Sequence, residues 1–178
     1  MKEQMIISGF GGQGVMSLGQ MLTYAGMIEG KHVTWLPSYG AEMRGGSANC
    51  SVVISDTPVS SPVVSEATTL IVLNLPSLTK FQPALVAGGK LLFNTSLIHV
   101  EPTRQDVEIF PIPANEIADS LGNTRVAGMV MLGAYLKASG ALRVESVVEA
   151  LKTVLGASKA NLVAVNEKAL AAGAALVG

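Results

Sequence analysis

Four closely spaced glycines follow the first apolar segment of the chain. The stretch "IISGFGGQGV" contains Gly9, Gly11, Gly12 and Gly14, three of them spaced as G-x-G-x-x-G. An apolar run before the loop predicts a buried strand over 4–8, and apolar residues at helical spacing after it predict a helix over 13–30. A strand, a glycine loop and a helix in this order are typical of the first unit of an α/β domain.

The rest of the chain continues this alternation and ends in helices. Further strands are predicted over 31–38, stopped by Pro37, and over 48–54, 69–74, 90–94 and 107–111. A short helix is predicted over 76–87, and the last third contains helices over 114–121, 125–138, 144–155 and 159–176. The predicted fold is one α/β domain over residues 1–178, Rossmann-like, with a mostly parallel sheet, helices on both faces and a helical C-terminal third.

The glycine loop has a physical basis for receiving an anion. Gly9 is predicted to turn the chain out of the strand, Gly11 to let a ligand or another chain approach the backbone, and Gly14 to let the helix pack close to the strand. The start of the helix, with Gly12 and Gln13, offers free N–H groups and a partial positive charge.

A nicotinamide dinucleotide is less well supported than other occupants. The NAD fingerprint needs an acidic residue where the second strand ends, but "WLPS" has none. Glu29 precedes that strand and Glu42 lies well past it, and Arg44 is a loose candidate for a 2′-phosphate. NAD(P), another phosphate-bearing ligand or protein neighbour, and a purely structural turn remain open at this point.

A second glycine-rich loop, "SYGAEMRGG", follows the second strand. Loops after parallel strands share the carboxyl edge of a doubly wound sheet, so this loop is predicted to face the first one. Its candidate binding residues are Ser38, Tyr39, Gly40, Glu42, Arg44, Gly45 and Gly46. The alternative is a solvated loop with a Glu42–Arg44 surface pair, worth under about 1 kcal/mol.

Composition excludes some functions and points to a buried surface. Only 14% of the residues are charged, against roughly 25% in a typical soluble protein, and the net charge is −1. These values give no electrostatic basis for binding nucleic acid or an anionic membrane. Together with a mean hydropathy of +0.45, they predict that a partner covers part of the surface. No stretch predicts a signal peptide or a membrane span, so a cytoplasmic location is expected.

A single cysteine limits the cofactors that this chain can hold. Cys50 cannot form an internal disulfide, and iron–sulfur clusters normally need about four thiolates. His32 and His99 add too few ligands for a structural zinc site. No serine has a histidine at motif spacing, so no catalytic residue is assigned.

The two loops together resemble a known family. "GFGGQGV" followed by "SYGAEMRGG" is similar to the gamma subunits of 2-oxoacid:ferredoxin oxidoreductases, most of all to the 2-oxoglutarate branch. "SPVVSEATTLIVLN", "GGKLLFNTSLI" and "LGNTRVAGMVMLGAYL" extend the resemblance over essentially the whole chain. Ala41 and Gly128 depart from the family pattern, which usually has Pro and often Asn there.

The resemblance implies a role within a larger enzyme. Such complexes decarboxylate a 2-oxoacid on thiamine diphosphate, pass electrons through iron–sulfur clusters to ferredoxin, and transfer the acyl group to coenzyme A. Thiamine diphosphate, Mg and the clusters would belong to alpha, beta and ferredoxin-like delta subunits, since this chain has no G-D-G motif and one cysteine. The glycine loops would then meet coenzyme A, thiamine diphosphate or a partner subunit.

The alternative function is that of a free-standing Rossmann-like nucleotide-binding protein or dehydrogenase. A further alternative, within the same superfamily, is a subunit of a pyruvate, branched-chain 2-oxoacid or indolepyruvate oxidoreductase.

Overall fold

Six strands form one sheet in the computed structural model, which describes residues 1–38 and 47–178. Their order across the sheet is β2-β3-β1-β4-β5-β6. The strands are β1 (Lys2–Phe10), β2 (His32–Ser38), β3 (Ser47–Ser55), β4 (Ala67–Val72), β5 (Leu85–Asn94) and β6 (Glu108–Ile112). The helices of the described ranges are α1 (Val15–Ile28), α2 (Leu75–Phe81), α3 (Ala114–Ser120), α4 (Ala127–Ser139), α5 (Val144–Leu155) and α6 (Val163–Ala174).

The sheet is mixed, and only one of its strands is reversed. β1, β4, β5 and β6 pair in parallel, whereas β3 pairs antiparallel with both β1 and β2. The predicted α/β fold with strands that mostly run in one direction is confirmed. The expected unit of β1, α1 and β2 has its two strands in the same direction, but β3 is inserted between them, which the sequence pattern did not indicate.

Helices cover the two faces of the sheet unequally. α1 and α3–α6 pack on one face and enclose the larger core, which includes Met5, Cys50 and Tyr135. On the other face α2 contributes Leu78 to a smaller core over the parallel strands. None of these helices is long and apolar enough to cross a lipid bilayer.

Two glycines allow α1 to lie directly on the antiparallel part of the sheet. A Cβ at Gly19 would come 2.7 Å from both the Cys50 Sγ and the Trp35 Nε1. A Cβ at Gly26 would come 2.6 Å from the Val33 Cγ1. This close packing fixes the N-terminus of α1 at the carboxyl edge of β1.

Helices α4 and α6 approach each other backbone to backbone. A Cβ at Gly133 would overlap the carbonyl oxygen of Leu170, and a Cβ at Gly173 would overlap that of Val130. Glycine is therefore required on both helices at their crossing. The crossing of these two helices is the most extensive contact between helices in the described residues.

Several boundaries differ from the predicted ones for identifiable reasons. β2 ends at Ser38, as the predicted strand over 31–38 does, but Pro37 lies within the strand and does not stop it, because an edge strand can lose one outward N–H without losing a ladder bond. The predicted turn at Gly88–Gly89 lies inside β5, where Gly88 has a φ of 78° and the register against β4 shifts. α6 begins at Val163, later than expected, because residues 157–162 form a 3₁₀ segment.

Candidate functional site

The end of β1 and the turn after it are held in place by Gln13. The Phe10 N–H donates to the Gln13 Oε1 at 2.5 Å, and the Gln13 N–H donates to the Phe10 carbonyl at 3.2 Å. A Cβ at Gly9 would come 2.5 Å from that same Oε1 and 3.1 Å from the Leu73 Cβ. Gly9 therefore lies within the strand and makes room for Gln13, which corrects the prediction that it turns the chain.

Gly12 and Gly14 supply the turn instead. Their φ angles are 90° and 79°, in the left-handed region that glycine adopts without strain. A Cβ at Gly14 would meet nothing within 4 Å, so the predicted role of Gly14 in close packing of helix and strand is wrong. Both glycines are exposed and shape the loop for backbone access.

The N-terminus of α1 opens into a cleft. Gly14 is the N-cap, and no side chain of the described residues caps the helix. The first intrahelical bond runs from the Leu18 N–H to the Gly14 carbonyl at 3.0 Å, which leaves the earlier N–H groups free of helical partners. The cleft has a volume of about 240 Å³ and is lined by Phe10, Gly11, Gly12, Gly14, Val15, Met16, Ser17 and Ala48. The free N–H groups and the helix dipole favour an anion here.

A second cleft lies on the other side of the glycine loop. It has a volume of about 230 Å³ and is lined by Gly12, Gln13, Leu73, Asn115, Thr124, Arg125 and Ala127. Arg125 is exposed, and no described carboxylate lies within salt-bridge distance of it. A guanidinium in this position can bind a phosphate or carboxylate through two parallel hydrogen bonds.

Asn94 fixes the floor of this second cleft. Its Nδ2 donates to the Asn115 Oδ1 at 2.7 Å and to the Leu73 carbonyl at 3.3 Å, and its Oδ1 accepts from the Ala114 N–H at 3.2 Å. The neighbouring Asn74 caps α2 through its Oδ1, which accepts from the Ser77 N–H at 2.9 Å. Both asparagines are buried at the carboxyl ends of parallel strands, so the cleft has a rigid support.

The flanks of the second predicted loop are the end of β2 and the start of β3. Tyr39, Gly40, Glu42, Arg44, Gly45 and Gly46 lie outside the described residues. Ser38 is exposed at the end of β2 and pairs with Asn49, which also pairs with Ser8 of β1. Ser47 pairs with Phe10 at the same edge. The flanks of the second loop are therefore at the carboxyl edge of β1, as the sequence predicted.

The residues that line the two described clefts include no candidate acid, base or nucleophile of high reactivity. Neither of these two clefts is lined by a histidine or a carboxylate. Burial raises the pKa of the Cys50 thiol to about 12, so this thiol is not a nucleophile near neutral pH. His32 is exposed at the opposite end of β2 from Ser38. Among residues 1–38 and 47–178, no three His, Cys, Asp or Glu side chains are grouped to hold a metal ion.

Arg125 and Asn115 were not among the predicted site residues. Asn115 is the second residue of α3, and Arg125 lies just before α4. Both are far in sequence from the glycine loop. The available signal was the single basic residue in "GNTR" at a helix start, where Asn123 caps the turn by accepting from the Arg125 N–H at 3.0 Å. Hydrophobic periodicity can predict a helix, but it does not indicate which edge of the sheet the first residue of that helix reaches.

The Gly9→Ala variant tests the contact between Gly9 and Gln13. We expect it to lose about 1–3 kcal/mol of unfolding free energy, because the new methyl group overlaps the Gln13 Oε1. The double variant Gly9→Ala/Gln13→Ala should lose less unfolding free energy than the two single variants lose together, because Gln13→Ala removes the atom that the new methyl group would overlap. Urea denaturation of the four proteins measures the coupling. Strictly additive losses would show that Gln13 does not occupy the space beside Gly9.

Sequence comparison assigns nearly the whole chain to one family. Residues 4–176 match the family described as pyruvate ferredoxin/flavodoxin oxidoreductase. The ketoisovalerate oxidoreductase subunit VorA of Methanothermobacter thermautotrophicus is 40% identical over 169 residues, which cover 94% of this chain and 35% of VorA. The chain therefore spans about a third of the length of that relative. The 2-oxoglutarate synthase subunit KorC of Methanothermobacter marburgensis is 34% identical over 174 residues, covering 92% of this chain and 93% of KorC.

Structure comparison agrees with the sequence comparison. The keto/oxoacid ferredoxin oxidoreductase gamma subunit from Geobacter sulfurreducens PCA superposes with a TM-score of 0.83 at 27% identity. The superposition covers 98% of this chain and 97% of that subunit. The fold described above is thus that of a gamma subunit of known structure.

Proposed function

The chain belongs to the pyruvate ferredoxin/flavodoxin oxidoreductase family, and on this premise we propose that it is the gamma-type part of a thiamine-dependent 2-oxoacid:ferredoxin oxidoreductase. The observation that carries the proposal is the end-to-end correspondence with KorC and with a solved gamma subunit. We further propose that residues 1–178 act as a single domain within a cytoplasmic complex of alpha, beta and delta subunits. The low charge content supports burial against such partners.

The chemistry of the reaction is assigned to the partners. The iron–sulfur clusters would be held by other chains, because one buried thiol cannot supply a cluster's ligands. Thiamine diphosphate and Mg would also be held by other chains, because this sequence contains no G-D-G motif. Those groups would supply the chemistry for decarboxylation of the 2-oxoacid and for electron transfer to ferredoxin. This chain would pack beside the thiamine site and help to position coenzyme A.

The carboxyl edge of the sheet fits a phosphate-bearing ligand. The uncapped start of α1 offers N–H groups on one side of the glycine loop, and Arg125 offers a guanidinium on the other. Gly14 and Arg125 are exposed, and N–H groups at a helix start and guanidinium groups are both typical partners of phosphate oxygens. We propose that they bind phosphates of coenzyme A as it approaches the acyl group. Ser38 and residues 39–46 remain candidates for the same ligand.

The geometry is less suited to a free-standing dehydrogenase. In the dinucleotide fold an acid at the end of the strand next to β1 holds the ribose. Here β3 occupies that place, and Ser38 at the end of β2 lies two strands away, roughly 10 Å at the usual strand spacing. Neither position carries a carboxylate, since Ser47 and Ala48 of β3 lie beside the end of β1.

The substrate is proposed as 2-oxoglutarate, on the resemblance of the two loops to that branch. The relatives are named for ketoisovalerate and for 2-oxoglutarate, so a branched-chain 2-oxoacid is the second candidate, with pyruvate and indolepyruvate after it. Initial rates of ferredoxin reduction by the native complex with each 2-oxoacid distinguish these candidates. A kcat/KM for ketoisovalerate above that for 2-oxoglutarate would assign the branched-chain substrate instead.

Purification of the chain from its native host tests the proposed assembly. We expect stoichiometric co-purification with a thiamine-binding subunit and a cysteine-rich subunit, identified by mass spectrometry and by bound thiamine and iron. Tight NAD(P) binding by the isolated chain, with no thiamine-binding partner recovered, would contradict the assignment.

A further inference from the structure

The cleft of about 230 Å³ beside Arg125 is lined by polar side chains of one kind. Each of them has a group that can donate a hydrogen bond, and the set is Gln13, Asn115, Thr124 and Arg125. None of the residues that line this cleft is a carboxylate, which would only accept. We call it the donor cleft.

The amide of Gln13 has a fixed orientation in the donor cleft. The Phe10 N–H donates to the Gln13 Oε1 at 2.5 Å. Because a backbone N–H can only donate, the amide atom that faces it is the oxygen. The NH₂ group of Gln13 therefore lies on the other side of the amide, and no described residue accepts a hydrogen bond from it.

The orientation of Asn115 is fixed by the same rule, through Asn94. The backbone N–H groups of Ala114 and Ser96 both donate to the Asn94 Oδ1 at 3.2 Å. The Asn94 Nδ2 is then a donor, and it donates to the Asn115 Oδ1 at 2.7 Å. The NH₂ group of Asn115 is the half of its amide that is left for a molecule in the donor cleft.

This lining suits a phosphate monoester better than a carboxylate. Two amide NH₂ groups, one hydroxyl and one guanidinium converge on the same space. A phosphate monoester has three acceptor oxygens and is mostly a dianion at neutral pH, because its second pKa is about 6. A carboxylate has fewer oxygens and a single charge, so it would leave some of these donors without a partner.

The cleft at the start of α1 offers a different set of groups. Ser17 is the one polar side chain among the residues that line it, and the remaining donors there are backbone N–H groups with the partial charge of a helix end. A glycine loop before a helix is the usual place for a diphosphate, whose oxygens backbone N–H groups can approach closely. Gly12 lines both clefts, so the two sites adjoin.

We propose that the donor cleft binds the 3′-phosphate of coenzyme A and thereby distinguishes coenzyme A from dephospho-coenzyme A. This inference rests on the proposed function and assigns one phosphate to each cleft. The 3′-phosphate and the diphosphate of coenzyme A are attached to the same ribose, so two adjoining clefts can receive them together. The diphosphate then lies at the start of α1, and the donor cleft determines specificity.

Calorimetric binding of coenzyme A and dephospho-coenzyme A to the assembled complex tests this assignment. We expect the wild type to bind coenzyme A about tenfold or more tightly than dephospho-coenzyme A, the effect of one charge-assisted hydrogen bond. Asn115→Asp should abolish this preference and leave the affinity for dephospho-coenzyme A nearly unchanged. The new carboxylate keeps an oxygen that accepts from Asn94, but it replaces the NH₂ donor by an oxygen that repels the phosphate. Asn161→Asp makes the same change at an exposed position outside both clefts and should behave as the wild type.

Arg125→Gln is a second variant that removes the charge at an exposed position, and it should also abolish the preference. Equal affinities of the wild type for the two ligands would overturn the assignment. So would equal weakening of both ligands by Asn115→Asp, since the donor cleft would then hold a part that they share. Tight binding of inorganic phosphate, with no preference between the two ligands, would assign the cleft to another phosphate monoester. The proposed function fails differently, if the chain co-purifies with no thiamine-binding subunit.

Discussion

We expect the Gly173→Ala variant to lose about 3 kcal/mol or more of its free energy of unfolding, which is above the usual range for an overpacked position. The added Cβ overlaps the carbonyl oxygen of Val130 in α4. A backbone atom of a packed helix cannot move aside as the end of a side chain can. α6 would have to shift away from α4 and open the contact that joins the last helix to the domain. Because small domains have about 5–15 kcal/mol in total, the loss is a large fraction of the stability.

The same crossing supplies the controls for this prediction. Gly133→Ala should be comparably destabilising, since its Cβ overlaps the Leu170 carbonyl. The double variant Gly133→Ala/Gly173→Ala should lose less unfolding free energy than the two single variants lose together, because one displacement of α6 relieves both overlaps. Gly128→Ala, also in α4, would contact only the Leu18 side chain at 3.1–3.4 Å. Its cost should be small, since alanine gains about 1 kcal/mol of helix propensity over glycine. Equal losses at Gly128 and Gly173 in urea denaturation would contradict this account of the packing.

The second large effect is expected from Arg125→Glu in the assembled enzyme. If Arg125 binds a phosphate of coenzyme A, reversing its charge removes a charge-assisted hydrogen bond of about 1.5–3 kcal/mol. Since about 1.4 kcal/mol is a factor of ten, kcat/KM for coenzyme A should fall at least roughly ten- to hundredfold. The unfolding free energy should hardly change, because the side chain is exposed and makes no ion pair with a described residue.

Two comparisons separate this role from a general charge effect. Lys168→Glu makes the same change of charge at an exposed position of α6, away from both clefts, and should leave kcat/KM for coenzyme A unchanged. Arg125→Lys should retain part of the activity, because it keeps the charge but loses the paired hydrogen bonds. An unchanged KM for coenzyme A in Arg125→Glu, with assembly intact, would show that Arg125 does not contact this ligand.

Local patterns predicted most of the elements but not their arrangement. The helix over 144–155 agrees residue for residue with α5, whose apolar positions recur at one helical period. The continuous apolar stretch over 69–74 correctly predicted a central parallel strand, because β4 is buried between β1 and β5. The reversal of β3 was not predictable, since alternation of buried and exposed residues is the same for either strand direction.

The site was predicted in part, from residues close in sequence. The glycine spacing correctly located the loop. The roles predicted for Gly9, which was to turn the chain, and for Gly14, which was to allow close packing, were both wrong. Gly9 is needed because Gln13 folds back onto the strand end, and Gly14 is needed for its positive φ. Arg125 reaches the same loop only because α4 starts at the carboxyl edge of the sheet. Such long-range proximity follows from topology and has no signature in local spacing.

Ferredoxin reduction by the complex, assembled with and without this chain, tests the central proposal most directly. We expect that the remaining subunits alone do not couple 2-oxoacid oxidation to ferredoxin reduction and acyl-coenzyme A formation. Adding the chain should restore both products in equal measure. Full activity of the complex without the chain would contradict its assignment as a subunit of this enzyme.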